Sequence, residues 1–181
     1  MKTLKNTLLL VIMFIAIQVS AQTDKETTAR LVEAKTLVFN ATTALPMANM
    51  DLNKVLQRFP GGQGSGAIQL SGSQYTLTIA KDSVEAYLPY YGRAYSANLN
   101  PNDSGIKFKS KDFTYKTEKR KKGGWLITIR PKDTKDVQSL TLSVGEKGYA
   151  VLNVTSNYRQ AIAFNGFISE PVAKSNNAPA K

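Results

Sequence analysis

The chain contains neither cysteine nor histidine. Without a thiol there is no disulfide, no thiolate nucleophile, no cysteine-ligated zinc and no acceptor for the lipid that tethers bacterial lipoproteins. Without an imidazole, the Ser-His-Asp and Cys-His arrangements and the commonest general base near neutral pH are excluded as well. Carboxylates are scarce: 13 Asp and Glu stand against 24 Lys and Arg. A carboxylate pair could still hydrolyse a glycoside, but Asp82, Asp103, Asp112, Glu118, Asp133, Asp136 and Glu146 fall in turns or beside Lys. Glu85 alone lies inside a strand-like run, where it is expected to face solvent across from a Lys. The expectation is therefore a protein that is not an enzyme, with no catalytic residue, metal or cofactor; a hydrolase using Glu85 or Asp112 is the least supported alternative.

Long apolar runs are also missing, apart from one at the start. Lys2 and Lys5, the apolar stretch Leu8 to Ile17, and the small-residue site Val19-Ser20-Ala21 make up the three parts of a secretory signal peptide. The stretch is shorter than the ~20 residues that span a hydrocarbon core, so no transmembrane segment is expected after cleavage. Removal of residues 1–21 leaves a chain of one-domain size starting at Gln22. A domain of that length buries enough surface to stand without disulfides. Lys2 and Lys5 account for two of the 24 basic residues, so the remainder carries 22 against 13 acidic ones, a net +9. Outside the cytoplasm such a charge favours lipid headgroups, lipopolysaccharide phosphates and acidic glycans over nucleic acid, or it serves solubility alone. The location expected is the periplasm or the outer cell envelope.

Thr23-Asp24-Lys25-Glu26 has the Thr-x-x-Glu spacing of a capping box and predicts a short helix. The β-branched stretch Thr36 to Thr43 predicts a first strand. Gly61 to Gly66 reads as a connector; a phosphate cradle would need Gly-Lys-Ser/Thr, whereas Ala67-Ile68 follow Gly66. From there the apolar period is two: Tyr75, Leu77, Ile79; Val84, Ala86, Leu88; Ile106, Phe108; Phe113, Tyr115; Trp125, Ile127, Ile129; Leu140, Leu142, Val144. Hairpins are predicted about Arg120 to Gly124 and about Gly145 to Gly148, with a last strand over Ala161 to Ile168. The fold class is α+β and mostly antiparallel β: a meander of short strands forming a barrel-like or two-layer sheet, with an N-terminal helix. The domain spans 22–168 and a flexible tail 169–181.

Asn98 to Gly105 offers oxygens at alternate positions, but the sixth residue is not Gly and the twelfth is Lys109 rather than Glu, so a plain polar turn is expected instead of a calcium loop. The segment from Tyr87 to Tyr95 gathers Tyr87, Tyr90, Tyr91 and Tyr95 around Arg93. That composition stacks on sugar rings or planar groups, and it equally suits a sheet corner whose rings close one end of the core. Lys107, Lys109 and Lys111, then Lys116, Lys119, Arg120, Lys121 and Lys122, form a basic hairpin region. It is a candidate anionic-surface contact or a solvated sheet face.

The Tyr87 to Tyr95 segment, Gly105 to Phe113, Lys121 to Ile129, Thr155-Ser156-Asn157 with Arg159-Gln160, and Phe164-Asn165-Gly166 together resemble an exported family of Bacteroidetes-type bacteria. It is known as a domain of unknown function, number 4251. The resemblance implies an α+β, mostly antiparallel domain in the cell envelope, without an established activity. Given such a host, Asp82-Ser83-Val84 is similar to an O-glycosylation signal that would place a glycan on Ser83; an ordinary turn is the alternative. The function expected is a non-enzymatic binding module for an envelope glycan, lipid or other anionic ligand. The alternative is a structural or assembly partner that recognises another envelope protein through a strand edge or the Gly-rich loop.

Overall fold

The computed structural model describes residues 23–47, 66–70, 74–95 and 105–171. The expected signal peptide, the Gly-rich connector up to Ser65, the loop over Asn98 to Ser104 and the tail beyond Pro171 lie outside these. Within them are one helix, α1 (Lys25–Ala34), and ten strands. The strands are β1 (Leu37–Pro46), β2 (Ile68–Gln69), β3 (Thr76–Ile79), β4 (Val84–Leu88) and β5 (Ile106–Ser110). They continue with β6 (Phe113–Lys119), β7 (Trp125–Pro131), β8 (Val137–Val144), β9 (Tyr149–Ser156) and β10 (Ile162–Ser169).

Every pairing is antiparallel, in the order β5-β4-β3-β1-β10-β9-β8-β7-β6, with β2 alongside β1. The sheet curls into a nearly closed barrel. Its two edge strands, β5 and β6, are consecutive in sequence and separated only by Lys111 and Asp112. They leave one corner together without pairing, and the barrel stays open between them.

The alternating residues predicted to be apolar do face inward. Neighbours in register carry the core around the barrel: Ile129 opposite Leu140, Leu140 opposite Val154, Val154 opposite Ile162, and Ile168 opposite Phe39. Phe39, in turn, stands opposite Leu77. All of these are essentially excluded from solvent. Cross-strand apolar pairs on one buried face fix the register, because a slip of one residue would turn every one of them outward. A bulge between Ala41 and Thr43 reverses the parity of β1, so Leu37, Phe39 and Ala41 point inward before it and Ala44 after it.

The helix packs Thr28, Leu31 and Val32 against this core. Its start differs from the expected capping box. The N-cap is Asp24, whose carboxylate accepts the Thr27 N–H at 2.7 Å, while the Thr23 hydroxyl donates to the Ile168 carbonyl at 2.8 Å. The carboxylate is the stronger acceptor for a helix N-terminus. Thr23 instead ties the helix to the end of β10. That capping hydrogen bond lowers the pKa of Asp24. After the helix, Lys35 takes the left-handed conformation (φ 52°), and the Thr36 and Lys35 amides close back on the Leu31 and Val32 carbonyls. The chain thereby reverses straight into β1.

Candidate functional site

On the outer face of the β3-β4-β5 flank, pairing places Tyr87 directly opposite Lys107, and Glu85 opposite Lys109. Tyr87 is 49% exposed, and its ring stacks on Tyr75, just before β3, at 6.0 Å and 17°. The Lys107 ammonium lies 5.2 Å from the centre of the Tyr87 ring, within cation–π range. Lys109 pairs with Glu85 at 3.3 Å. Glu85 is thus solvent-facing and opposite a Lys, as the sequence predicts.

Beyond β4, the Tyr-rich segment divides. Tyr90 turns toward the core, and its hydroxyl reaches the Arg93 carbonyl at 2.8 Å and the Gln160 carbonyl at 3.0 Å. Burial raises its pKa, opposed by the Gln160 hydrogen bond and by Arg159. Tyr91 and Tyr95 are exposed. Arg93 and Tyr95 are held by their backbones, the Gln160 amide donating to the Arg93 carbonyl and the Tyr95 amide to the Tyr158 carbonyl.

The buried cation in this region is Arg159, 8% exposed, between β9 and β10. Its guanidinium lies 5.2 Å from the centre of the Tyr90 ring, Nε sits 3.2 Å from Asp136 Oδ2, and Nη1 donates to the Gly105 carbonyl at 3.0 Å. One side chain therefore joins the β7–β8 loop, the start of β5 and the Tyr90 corner. The other carboxylate oxygen, Asp136 Oδ1, is buried and has no hydrogen-bond partner among the described residues. Nearby, the Asp133 carboxylate fixes the corner between β5 and β6. The Ser110 hydroxyl, then the Lys111 and Asp112 amides, hold its pKa down to about 2.

These elements enclose two adjoining clefts. The first, of about 240 Å³, is lined by Tyr75, Tyr87, Pro89, Tyr90, Tyr91 and Lys107 among others. The second, of about 570 Å³, lies between β5 and the β7–β8 loop and is lined by Lys107, Lys109, Lys135, Asp136, Tyr158 and Arg159 among others. Lys107 and Gly105 border both. The pair offers aromatic surface on one side and a polar floor on the other. Asp133, held ionised, is a poor proton donor at neutral pH. Among the described residues no three potential metal ligands cluster.

Of the residues singled out from the sequence, Tyr87, Tyr90, Tyr91, Lys107 and Lys109 are brought to these clefts. The Arg93 and Tyr95 side chains are exposed and line neither. Lys119 ends β6, Arg120, Lys121 and Lys122 sit in the exposed β6–β7 turn, and none of the four lines either cleft. Lys107 and Lys109 stand on β5 and the others at β6, the two edge strands of the sheet, so they do not make one hairpin. Ser83 is half-buried in the β3–β4 turn and hydrogen-bonds Asp82 at 3.1 Å. Sequence reasoning missed Tyr75, Lys135, Asp136, Tyr158 and Arg159 as site residues. Their only local signal was polar connections: Lys135 and Asp136 sit between β7 and β8, Tyr158 and Arg159 between β9 and β10.

The family model described as a domain of unknown function (DUF4251) matches residues 20–168. A solved structure of a DUF4251 family protein from Bacteroides eggerthii DSM 20697 is similar with a TM-score of 0.51, over 81% of this chain and 87% of that one. At 10% identity this is a likeness of fold. No curated protein matches the chain.

Proposed function

The chain belongs to the DUF4251 family, and from that premise we propose that it is an exported, non-catalytic binding module of the cell envelope, with the paired clefts as its contact surface. One observation carries this reading: Tyr75, Tyr87, Tyr91 and Lys107 converge on one groove beside a polar cleft lined by the Asp136–Arg159 pair. Tyrosine rings beside hydrogen-bonding groups suit sugar rings, which present C–H faces and hydroxyl rims. Most acids of the region are already committed: Asp136 to Arg159, Glu85 to Lys109 and Asp133 to backbone amides. That leaves binding better supported than acid–base chemistry.

The test is a thermal-shift screen of the purified protein against envelope glycans, peptidoglycan fragments, anionic lipid vesicles and polyanions, at low and high salt. A ligand held by the native state raises Tm by mass action, and salt removes contacts that are electrostatic only. The expected result is a salt-resistant shift from a glycan that Tyr87→Ala abolishes while the variant still unfolds cooperatively. Shifts from every polyanion that vanish in salt would reject the reading. Export has its own check: mass spectrometry of protein made in the native host should find a chain that starts at Gln22.

A second reading, an assembly partner for another envelope protein, is favoured by one feature. Strand β6 ends the sheet, and its outer edge has no strand partner among the described residues. Crosslinking from Lys116 or Lys119 in cells would capture such a partner in fixed stoichiometry.

A further inference from the structure

Resting on the glycan-binding reading, we infer that the ligand is an acidic oligosaccharide that lies across Lys107, with one sugar in the tyrosine groove and the next over the Asp136 floor. Of the cations in the second cleft, Lys109 is paired with Glu85 and Arg159 with Asp136. Asp133 is occupied by backbone amides. The Lys107 ammonium has a ring for a neighbour rather than a carboxylate, and the Lys135 ammonium has no ion pair among the described residues.

Two ammonium groups without an ion pair among the described residues therefore remain, one on β5 and one on the β7–β8 loop. Their placement on separate elements suits acid groups carried singly on successive sugars better than a compact polyanion. Asp136 and Arg159, paired at 3.2 Å, give the second cleft a polar floor that sugar hydroxyls suit better than a bare anion does. The tyrosine groove adds another demand, an apolar ring face. A chain of uronic acids meets all three demands; a neutral glycan meets two, and a polyphosphate only the charge.

Titration calorimetry with tetragalacturonic acid, its methyl ester and linear tripolyphosphate separates the possibilities. The native protein should bind the acid about tenfold more tightly than the ester, the scale of one charge-assisted hydrogen bond. Tripolyphosphate should bind weakest at high salt. Lys107→Met keeps the aliphatic stem and removes the charge; it should bring the acid's affinity down to that of the ester. Lys135→Met should do the same to a smaller degree, and Tyr87→Ala should weaken acid and ester alike. Both lysines are exposed and make no ion pair among the described residues, so their loss should leave Tm nearly unchanged, whereas Tyr87→Ala gives up its stack on Tyr75 and should lower Tm slightly without unfolding the protein. Equal affinities for acid and ester, or no effect of Lys107→Met, would overturn the acidic assignment while leaving glycan binding in place. Tripolyphosphate as tight as the acid would overturn it in favour of a plain basic surface. Binding of neither sugar would defeat the glycan reading beneath it.

Discussion

The wall from β7 through β8, β9 and β10 to β1 and the lip around β5 are held together by different means. In the wall, apolar residues face one another in register across every pair of strands, and the cohesive force is burial. In the lip, single polar side chains reach across long stretches of sequence: the Tyr90 hydroxyl to Gln160, Arg159 to Gly105 and to Asp136, Asp133 to Lys111. The buried residues of the wall are all apolar among the described residues, whereas the lip is built from polar groups, and the lip is where the two clefts lie. A rigid apolar wall thus serves as scaffold for a polar site whose parts come from four separate connections.

If that division is right, the largest loss of stability comes from the wall. Phe164 is fully buried, so Phe164→Ala should cost about 3–5 kcal/mol in urea unfolding. A loss below 1 kcal/mol would mean the wall is not the scaffold. Arg159→Met should come next. Deleting one partner of a buried ion pair costs about 3–5 kcal/mol, but the Asp136 side chain is 32% exposed, so about 2 kcal/mol is expected here. The comparison sharpens in hydrogen exchange: this variant should speed exchange at 105–109 and 133–137 and leave β8 and β9 protected.

Tyr90→Phe removes one hydroxyl and should cost about 1 kcal/mol, the net value of a single hydrogen bond. The smallest effect is acid dependence. Asp133 is held at about 2 against an ordinary 3.8. A depressed carboxylate contributes stability above its unfolded pKa, and that contribution is lost as pH falls through the folded one. Asp133→Asn should therefore flatten the fall of Tm between pH 4 and 2; an unchanged profile would remove Asp133 from the account. Asp24, lowered by its capping bond, adds a slope of the same sign that this variant leaves in place.

The wall was legible because its rule is local. Period-two alternation over Trp125 to Ile129 and Leu140 to Val144 names the inward residues, and the Gly-bearing turns over Arg120 to Gly124 and Gly145 to Gly148 place the hairpins. The bulge at Thr42 limited that rule, since it reverses parity and carries β1 past the predicted end at Thr43 to Pro46. The lip was legible only in part. Tyr87 and Lys107 were found by composition, but their direct pairing needs the β4–β5 register. Arg159 and Asp136 meet because two loops converge, and nothing local to either residue signals the other. Nor does anything local fix how Lys119 to Lys122 stand to Lys107: they belong to β6 and its turn, which ends the sheet opposite β5 without pairing with it.

The most direct measurement is an amide and side-chain NMR titration of the isotope-labelled protein with tetragalacturonic acid. Saturable shifts at Tyr75, Tyr87, Tyr91, Lys107, Lys135 and Asp136, with the β8–β9 wall unmoved, are the predicted result. Shifts confined to the β6–β7 turn around Lys119 to Lys122, or none at all, would contradict the assignment of the paired clefts as the binding site.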